Sequence, residues 1–508
     1  MKRVFAYFLV ICTLLCACGT VDADPEEELF WQETEEEPAP SLERALPADF
    51  TLPYLASEPL NPLTCPDGMQ RTVASLLYEG LFRLDGAFEP QALLCASYTC
   101  DEDALVYTFT LRDGVVFSDG AALTAADARD TLLYAKTAAR YENRLRAVQS
   151  VRAQGNVLTV TLSEPDRALP ALLDIPILRS GTQSADVPVG TGPYFYDASD
   201  APCLIANESW WQGASRPAER IALTETADEE AAFYRFASHE IHLLVSDLTA
   251  SAPVSSALSS STGYAEADSA VMQYLGVNAS RPALGSDALR VCLLRGIDRA
   301  HLVGALLSGH AREAFFPLSP VSPLYPRDLE SPLSSADFAR AVAALEEKPA
   351  RTLRLLVSEE NPFRVSAAEY LAELFTSAGI ETEAVALPWQ DYLSALSRGD
   401  FDLYLGEVRL TADWDLTPLL GTGGSLNYGL WSDGDCDTLL AVCRRSADRP
   451  TAFRALCAYL LRRAPILPLC FKSVSVLYDA DVLGGLSPTA SEPFYDLPSL
   501  TFRLADKP

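Results

Sequence analysis

Positive charge is scarce in this chain: 39 Lys and Arg stand against 69 Asp and Glu, a formal net charge of −30. A protein this acidic is a poor partner for nucleic acid or for an anionic membrane face. Histidine is rarer still, at four residues, and methionine at three, which argues against metal storage or a Met-rich copper role. Long apolar runs are missing too: Val4 to Leu15 falls short of the roughly 20 residues a membrane-spanning helix needs. There is no Gly-x-Ser-x-Gly elbow, no P-loop and no Cys-x-x-Cys. Gly-Thr-Gly at 190–192 and Gly-Thr-Gly-Gly at 421–424 lack the Lys or the strand-to-helix setting of a phosphate loop and read as turns. What remains is 508 residues, 49 % of them hydrophobic, enough to bury the cores of several lobes and too many for wholesale disorder.

The short apolar run follows Lys2 and Arg3 and ends in Leu15-Cys16-Ala17-Cys18-Gly19. A positive start, a run of this length and small residues at its end describe a signal peptide, residues 1–17. The ending resembles a bacterial lipoprotein box, which implies that Cys18 becomes the first mature residue and carries the lipid. Two or more acyl chains hold a protein stably on a membrane. The next stretch, Gly19 to Leu46, has ten acidic residues and one Arg. Few apolar residues and several Pro make it an extended, disordered tether, so residues 18–46 are read as lipidated Cys plus spacer.

Twelve Cys are present; removing Cys12, Cys16 and Cys18 leaves nine, an odd number scattered through the chain. Neither a zinc knuckle nor a disulfide scaffold is indicated; Cys95 and Cys100 are the one candidate pair, with buried thiols as the alternative. His239-Glu240-Ile241-His242 does not have the spacing of a helical zinc site, and the alternation through Leu243 and Val245 reads as a strand edge. No metal, no cofactor and no catalytic activity are expected. Short β-like runs at 106–111, 157–162 and 354–357 alternate with helical patterns at 125–138 and 366–378, with Gly379 placed to stop the latter. Residues 353–386 read as a strand, a helix and a second strand, and the alternation as a whole implies α/β lobes.

Four stretches resemble one family, the peptide/nickel-type extracellular solute-binding proteins (family 5) of bacterial ABC importers. They are Leu60-Asn-Pro-Leu63 with Leu76-Leu-Tyr-Glu-Gly-Leu81; Tyr107-Thr-Phe-Thr-Leu-Arg-Asp-Gly-Val-Val-Phe-Ser-Asp-Gly120 through Leu123-Thr-Ala-Ala-Asp127; Gly190-Thr-Gly-Pro-Tyr194; and Gly276-Val-Asn278 with Asp287-Ala-Leu-Arg-Val291 and Gly296-Ile-Asp-Arg299. In the second, Ser118 stands where the family has His and Ala128 where it has Val. The resemblance spans residues 50 to 500. It implies an α/β, type II periplasmic-binding-protein-like fold: two lobes with a hinge and an extra inserted domain. Lobe I would comprise 47–80, 186–270 and 476–508, the inserted domain 81–185, and lobe II 271–475.

The function implied is capture of a peptide, or a similar small solute, in the cleft between the lobes by a monomer. It would be held outside the cell on the membrane by lipid and would deliver to an ABC permease and its ATPase. A ligand sensor of the same fold and a nickel or metal-chelate binder are the alternatives. Asp413 falls on the family's position for a peptide amino group, with Trp414 on the following aromatic and Leu410 where a Trp is usual. Asp415 is an adjacent competitor, helix capping is the competing role for either Asp, and Glu407 and Arg409 add charge nearby. Trp389 falls where relatives place an aromatic wall or a core anchor. Asn278 and Asn427 would bond peptide backbone or else hold turns, and Gly68 to Gln70 would offer an edge to the ligand. The acidic body itself suits neutral or cationic ligands.

Overall fold

The computed structural model describes residues 45–66, 68–214, 216–249 and 259–505. The expected signal peptide, Cys18 and the tether up to residue 44 lie outside the described residues. The rest carries two large hydrophobic cores, one built mainly from residues 50–250 with the C-terminal segment, the other mainly from 272–471. Among the described residues no helix is long and apolar enough to cross a membrane.

Three sheets organise these cores. The first has the order Phe50–Tyr54, Arg220–Glu225, Cys203–Ala206, Tyr194–Asp197, with the leading pair parallel and the others antiparallel. The second is antiparallel, in the order Cys95–Cys100, Val106–Leu111, Val157–Leu162, Val148–Gln154. Its two central strands are read directly from alternation, because every second residue of each is buried. The third runs Leu243–Ser246, Ile466–Asp479, Thr262–Val277, Leu403–Arg409, Leu353–Ser358, Thr382–Leu387, with Ala311–Glu313 also on Ile466–Asp479.

Within the third sheet, Leu353–Ser358 and Thr382–Leu387 are parallel and joined by helix Pro362–Ser377, the unit expected from sequence. The helix begins four residues earlier than its apolar spacing suggests. Asn361 caps it, accepting from Arg364 N–H at 3.1 Å, and Pro362 occupies the first turn, where its missing N–H is no loss. The helix at 125 is shorter than expected and ends at Ala135, the chain continuing in turns.

The two long strands link the halves of the molecule. Thr262–Val277 pairs with Ile466–Asp479 over nearly its whole length, broken by an irregularity between Asp268 and Met272. There Ser269 Oγ donates to Lys472 O at 2.7 Å and accepts from Val271 N–H at 3.1 Å, filling the interrupted ladder. On one side of the break Ile466–Asp479 carries strand Leu243–Ser246; on the other Thr262–Val277 carries Leu403–Arg409. The same two strands thus serve both lobes, as a two-strand hinge must.

Sequence motifs turn out to be backbone knots. Thr124 and Asp127 form a capping box for helix Ala125–Ala135, Thr124 N–H donating to Asp127 Oδ2 at 2.9 Å. Gly120, at φ +84°, closes the preceding turn. Ser118 N–H donates to Gly190 O at 2.9 Å, tying the second resembling stretch to the third. Gly190 and Gly192 lie against the 76–77 backbone: a Cβ on either would sit 2.2 or 2.6 Å from Leu77 O. Gly192→Ala is therefore expected to destabilise by about 1–3 kcal/mol, read as a lower denaturant midpoint; an unchanged midpoint would show that the loop can move away.

The Cys95–Cys100 pairing is ruled out. The two residues sit at opposite ends of one strand, roughly 16 Å apart at 3.3 Å per residue, against a limit of about 7 Å between bridged Cα atoms. Both are thiols, Cys95 donating to Ser97 O, and burial pushes its pKa up to about 11.

Candidate functional site

A cleft of about 660 Å³ opens between the two halves, a volume typical of small-molecule sites. One wall comes from helix Met69–Ala74 and the turns after helix Ala125–Ala135, contributing Arg71, Arg140, Tyr141 and Arg144. The facing side holds Asp268 and Ala270 of one long strand and the 409–412 segment that ends strand Leu403–Arg409. Strand residues 244–247 and the loop 489–493 complete the lining.

The acids of the cleft are engaged with the protein. Asp247 pairs with buried Lys472, Asp268 with Arg312, and Asp174 with Arg144. Glu229 accepts from Ser246 Oγ at 2.6 Å, and Asp85 Oδ1 accepts from the N–H groups of Ala87 and Glu89 in a turn. On the cationic wall, Arg144 Nε donates to Leu172 O at 2.9 Å, and its guanidinium lies over the Tyr141 ring, 5.7 Å from the centroid. Burial pulls the Arg144 pKa down to about 10, opposed by Tyr141 and Asp413, with Arg71 adding to the fall.

Most of the residues singled out from sequence lie away from the lining. Asp413 is half-buried one residue behind the lining pair Thr411 and Ala412; its carboxylate accepts from Thr411 Oγ1, and from Asp415 N–H at 3.3 Å. Burial pushes its pKa up. Trp414, at φ +58° and only 2 % exposed, meets Phe88 edge-on at 5.4 Å and Phe471 at 6.2 Å. It packs within the second core, together with both of those rings. Trp389 is the reverse case: it is exposed, starts helix Trp389–Arg398, and stacks on Tyr392 away from the cleft lining.

Asn278 donates to Gly399 O and Phe401 O, both at 3.1 Å, and accepts from Ser280 N–H. Asn427 donates to Gly421 O and Trp431 O and accepts from Trp431 N–H. Both hold turns, the second of their expected roles. Gly68 and Met69 do line the cleft, but Gln70 turns inward, fully buried: it accepts from Leu55 N–H at 2.8 Å and donates to Glu58 O at 2.9 Å.

His239 and His242 are structural. Strand Leu243–Ser246 begins after them; His239 contacts Asp479 at 2.9 Å, and His242 Nδ1 accepts from Thr51 N–H at 2.9 Å. Among the described residues no group of three or more His, Cys, Asp or Glu is arranged to hold a metal ion.

Two α/β lobes sharing long strands, with a solute-sized cleft between them, define a type II periplasmic-binding-protein fold. The family model for bacterial extracellular solute-binding proteins, family 5 (middle region) matches residues 89–427, and the chain belongs to that family, the substrate-binding proteins of ABC transporters. Protein XP55 of Streptomyces lividans is 27 % identical, over 79 % of this chain and 80 % of its own length. A glutathione-binding protein, GsiB, of Escherichia coli O1:K1 is 22 % identical over 84 % and 89 %. Among solved structures, the ABC transporter substrate-binding protein CtaP of Listeria monocytogenes superposes with a TM-score of 0.75 at 20 % identity, over 90 % of this chain and 99 % of that one. GsiB and CtaP are both named as binding proteins.

Proposed function

We propose that the protein captures a peptide, or a similar small solute, outside the cell and hands it to the permease of an ABC importer, held at the membrane by lipid on Cys18. The observation that carries this reading is the cleft itself: about 660 Å³, with charged side chains from both lobes facing one space. Peptides combine such charges with main-chain donors and acceptors, and a site built for them needs both polar partners and room. The glutathione-binding relative supports a short peptide-like solute. Capture by lobe closure requires the hinge that the paired long strands provide.

The test is ligand-linked stability. Mixed-sequence peptide pools of two to five residues are added to the purified full chain and its unfolding followed. A binding pool at a hundredfold excess over its Kd is expected to stabilise by about 2.7 kcal/mol. No stabilisation by any pool would overturn peptide capture.

A further inference from the structure

The floor of the cleft coincides with the point where the lobes join. Ala270 and Val474, one on each long strand beside their interruption, both line it. Through residues 269–271 the ladder between these strands is already broken, and Ser269 fills the gap with its side chain. Rotation about this point therefore breaks few backbone hydrogen bonds, as a hinge requires. The resting angle must then be set by side chains.

Lys472 stands at this point, its carbonyl bonded to Ser269, and its side chain is only 6 % exposed. Its ammonium is shared between two carboxylates, Asp247 and, at 3.3 Å, Glu407 Oε2. They come from different lobes. Asp247 follows strand Leu243–Ser246, which pairs with Ser475–Tyr478 on one side of the break. Glu407 lies on strand Leu403–Arg409, which pairs with Val271–Val277 on the other. Both carboxylates are positioned independently of Lys472. Thr249 donates to Asp247 Oδ1 through its N–H at 3.0 Å and its Oγ1 at 2.6 Å. Gln273 Nε2 donates to Glu407 Oε2 at 3.2 Å, and Arg364 pairs with Oε1 at 3.0 Å.

An ammonium this buried has lost its water and depends on its partners. When the lobes swing apart, Lys472 can follow one carboxylate but not both, so opening separates a charge pair in low-dielectric surroundings. Without the ammonium, two fixed carboxylates would instead face each other across the hinge and repel. The lobes also meet where Arg146 pairs with Asp415, so they are drawn together around the cleft.

We propose that Asp247, Lys472 and Glu407 form an electrostatic lock that holds the lobes closed, with Lys472 as its positioning residue. Asp247 is the member that faces the cleft, with its side chain 39 % exposed, so a solute on the floor touches the lock directly.

Small-angle X-ray scattering of the purified full chain, with no peptide added, reads the lobe angle. Lys472→Met is expected to raise the radius of gyration, the open-to-closed ratio rising about tenfold to a hundredfold. Adding Glu407→Gln removes the repulsion and is expected to bring part of the compactness back; a side chain that merely filled space would show no such rescue. Asp247→Lys, at the cleft surface, sets a second cation against Lys472 and is expected to open the lobes by about tenfold. It decides the matter if Lys472→Met does not fold, and denaturant unfolding of each variant shows which do. Radii equal to the parent's in every folded variant, or an opening by Lys472→Met that Glu407→Gln leaves untouched, overturn the lock. No solute is present, so either result leaves capture intact.

Discussion

Glu79→Ala is expected to destabilise the protein by at least about 3 kcal/mol, because four donors lose one shared acceptor. The Glu79 carboxylate is 7 % exposed. Thr191 Oγ1 and Trp211 Nε1 donate to Oε2, both at 2.8 Å; Trp210 Nε1 and Gln212 Nε2 donate to Oε1 at 3.0 and 3.1 Å. Burial pushes its pKa up, and the four donors pull it back. A carboxylate is the side chain that offers this many acceptor sites and no donor. Glu79→Gln, nearly the same shape, sets an NH2 against an N–H donor at either end, Trp211 at one and Trp210 and Gln212 at the other, and is expected to cost about 2 kcal/mol. Denaturant unfolding of both variants measures this; a Gln variant as stable as the parent would mean that the donors find other partners.

The same knot explains what was legible in the sequence. Glu79 belongs to the stretch Leu76–Leu81 and Thr191 to Gly190–Tyr194, two of the four stretches that carried the family resemblance. In the structure they bond each other, and Gly190 and Gly192 make the approach possible by lacking a Cβ. The 107–127 stretch is another such unit, with a positive-φ glycine and a capping box. Motifs of this kind constrain the local backbone, so they appear as residue types at fixed spacing. Strands Val106–Leu111 and Val157–Leu162 and the strand–helix–strand unit at 353–387 were readable for a similar reason, their periodicity.

The cleft leaves no such mark. Arg71, the Tyr141 to Arg144 turn, Ser246 and Arg409 come from separate segments, and only folding gathers them. The one local hint was the pair Arg140 and Arg144, four residues apart beside a tyrosine, a pattern that also describes a solvated face. The residues transferred by resemblance carry local roles of their own. Asn278 and Asn427 sit in turns because an Asn that bonds its neighbours' backbone stabilises a turn, whatever is bound nearby. Trp414 packs, its ring lying between Phe88 and Phe471.

Glu492→Gln is expected to stabilise the protein at pH 8 by about 3 kcal/mol and to leave it unchanged near pH 4. Burial raises the Glu492 carboxyl to about 7, Arg83 and Arg71 opposing the rise and Glu79 adding to it. An acid whose folded pKa lies above its ordinary value of 4.5 favours folding while protonated. Its contribution is therefore complete below about 4.5 and is lost as pH rises through about 7. Gln has no proton to lose, so the gap between variant and parent should open across that interval. Urea midpoints at pH 4, 6 and 8 measure it. Buried Asp166 and half-buried Asp413 are raised as well, so the parent's own pH curve mixes several groups, whereas the difference between the two proteins isolates Glu492. A uniform loss of stability at every pH would instead make Glu492 a necessary counter-charge to Arg71 and Arg83.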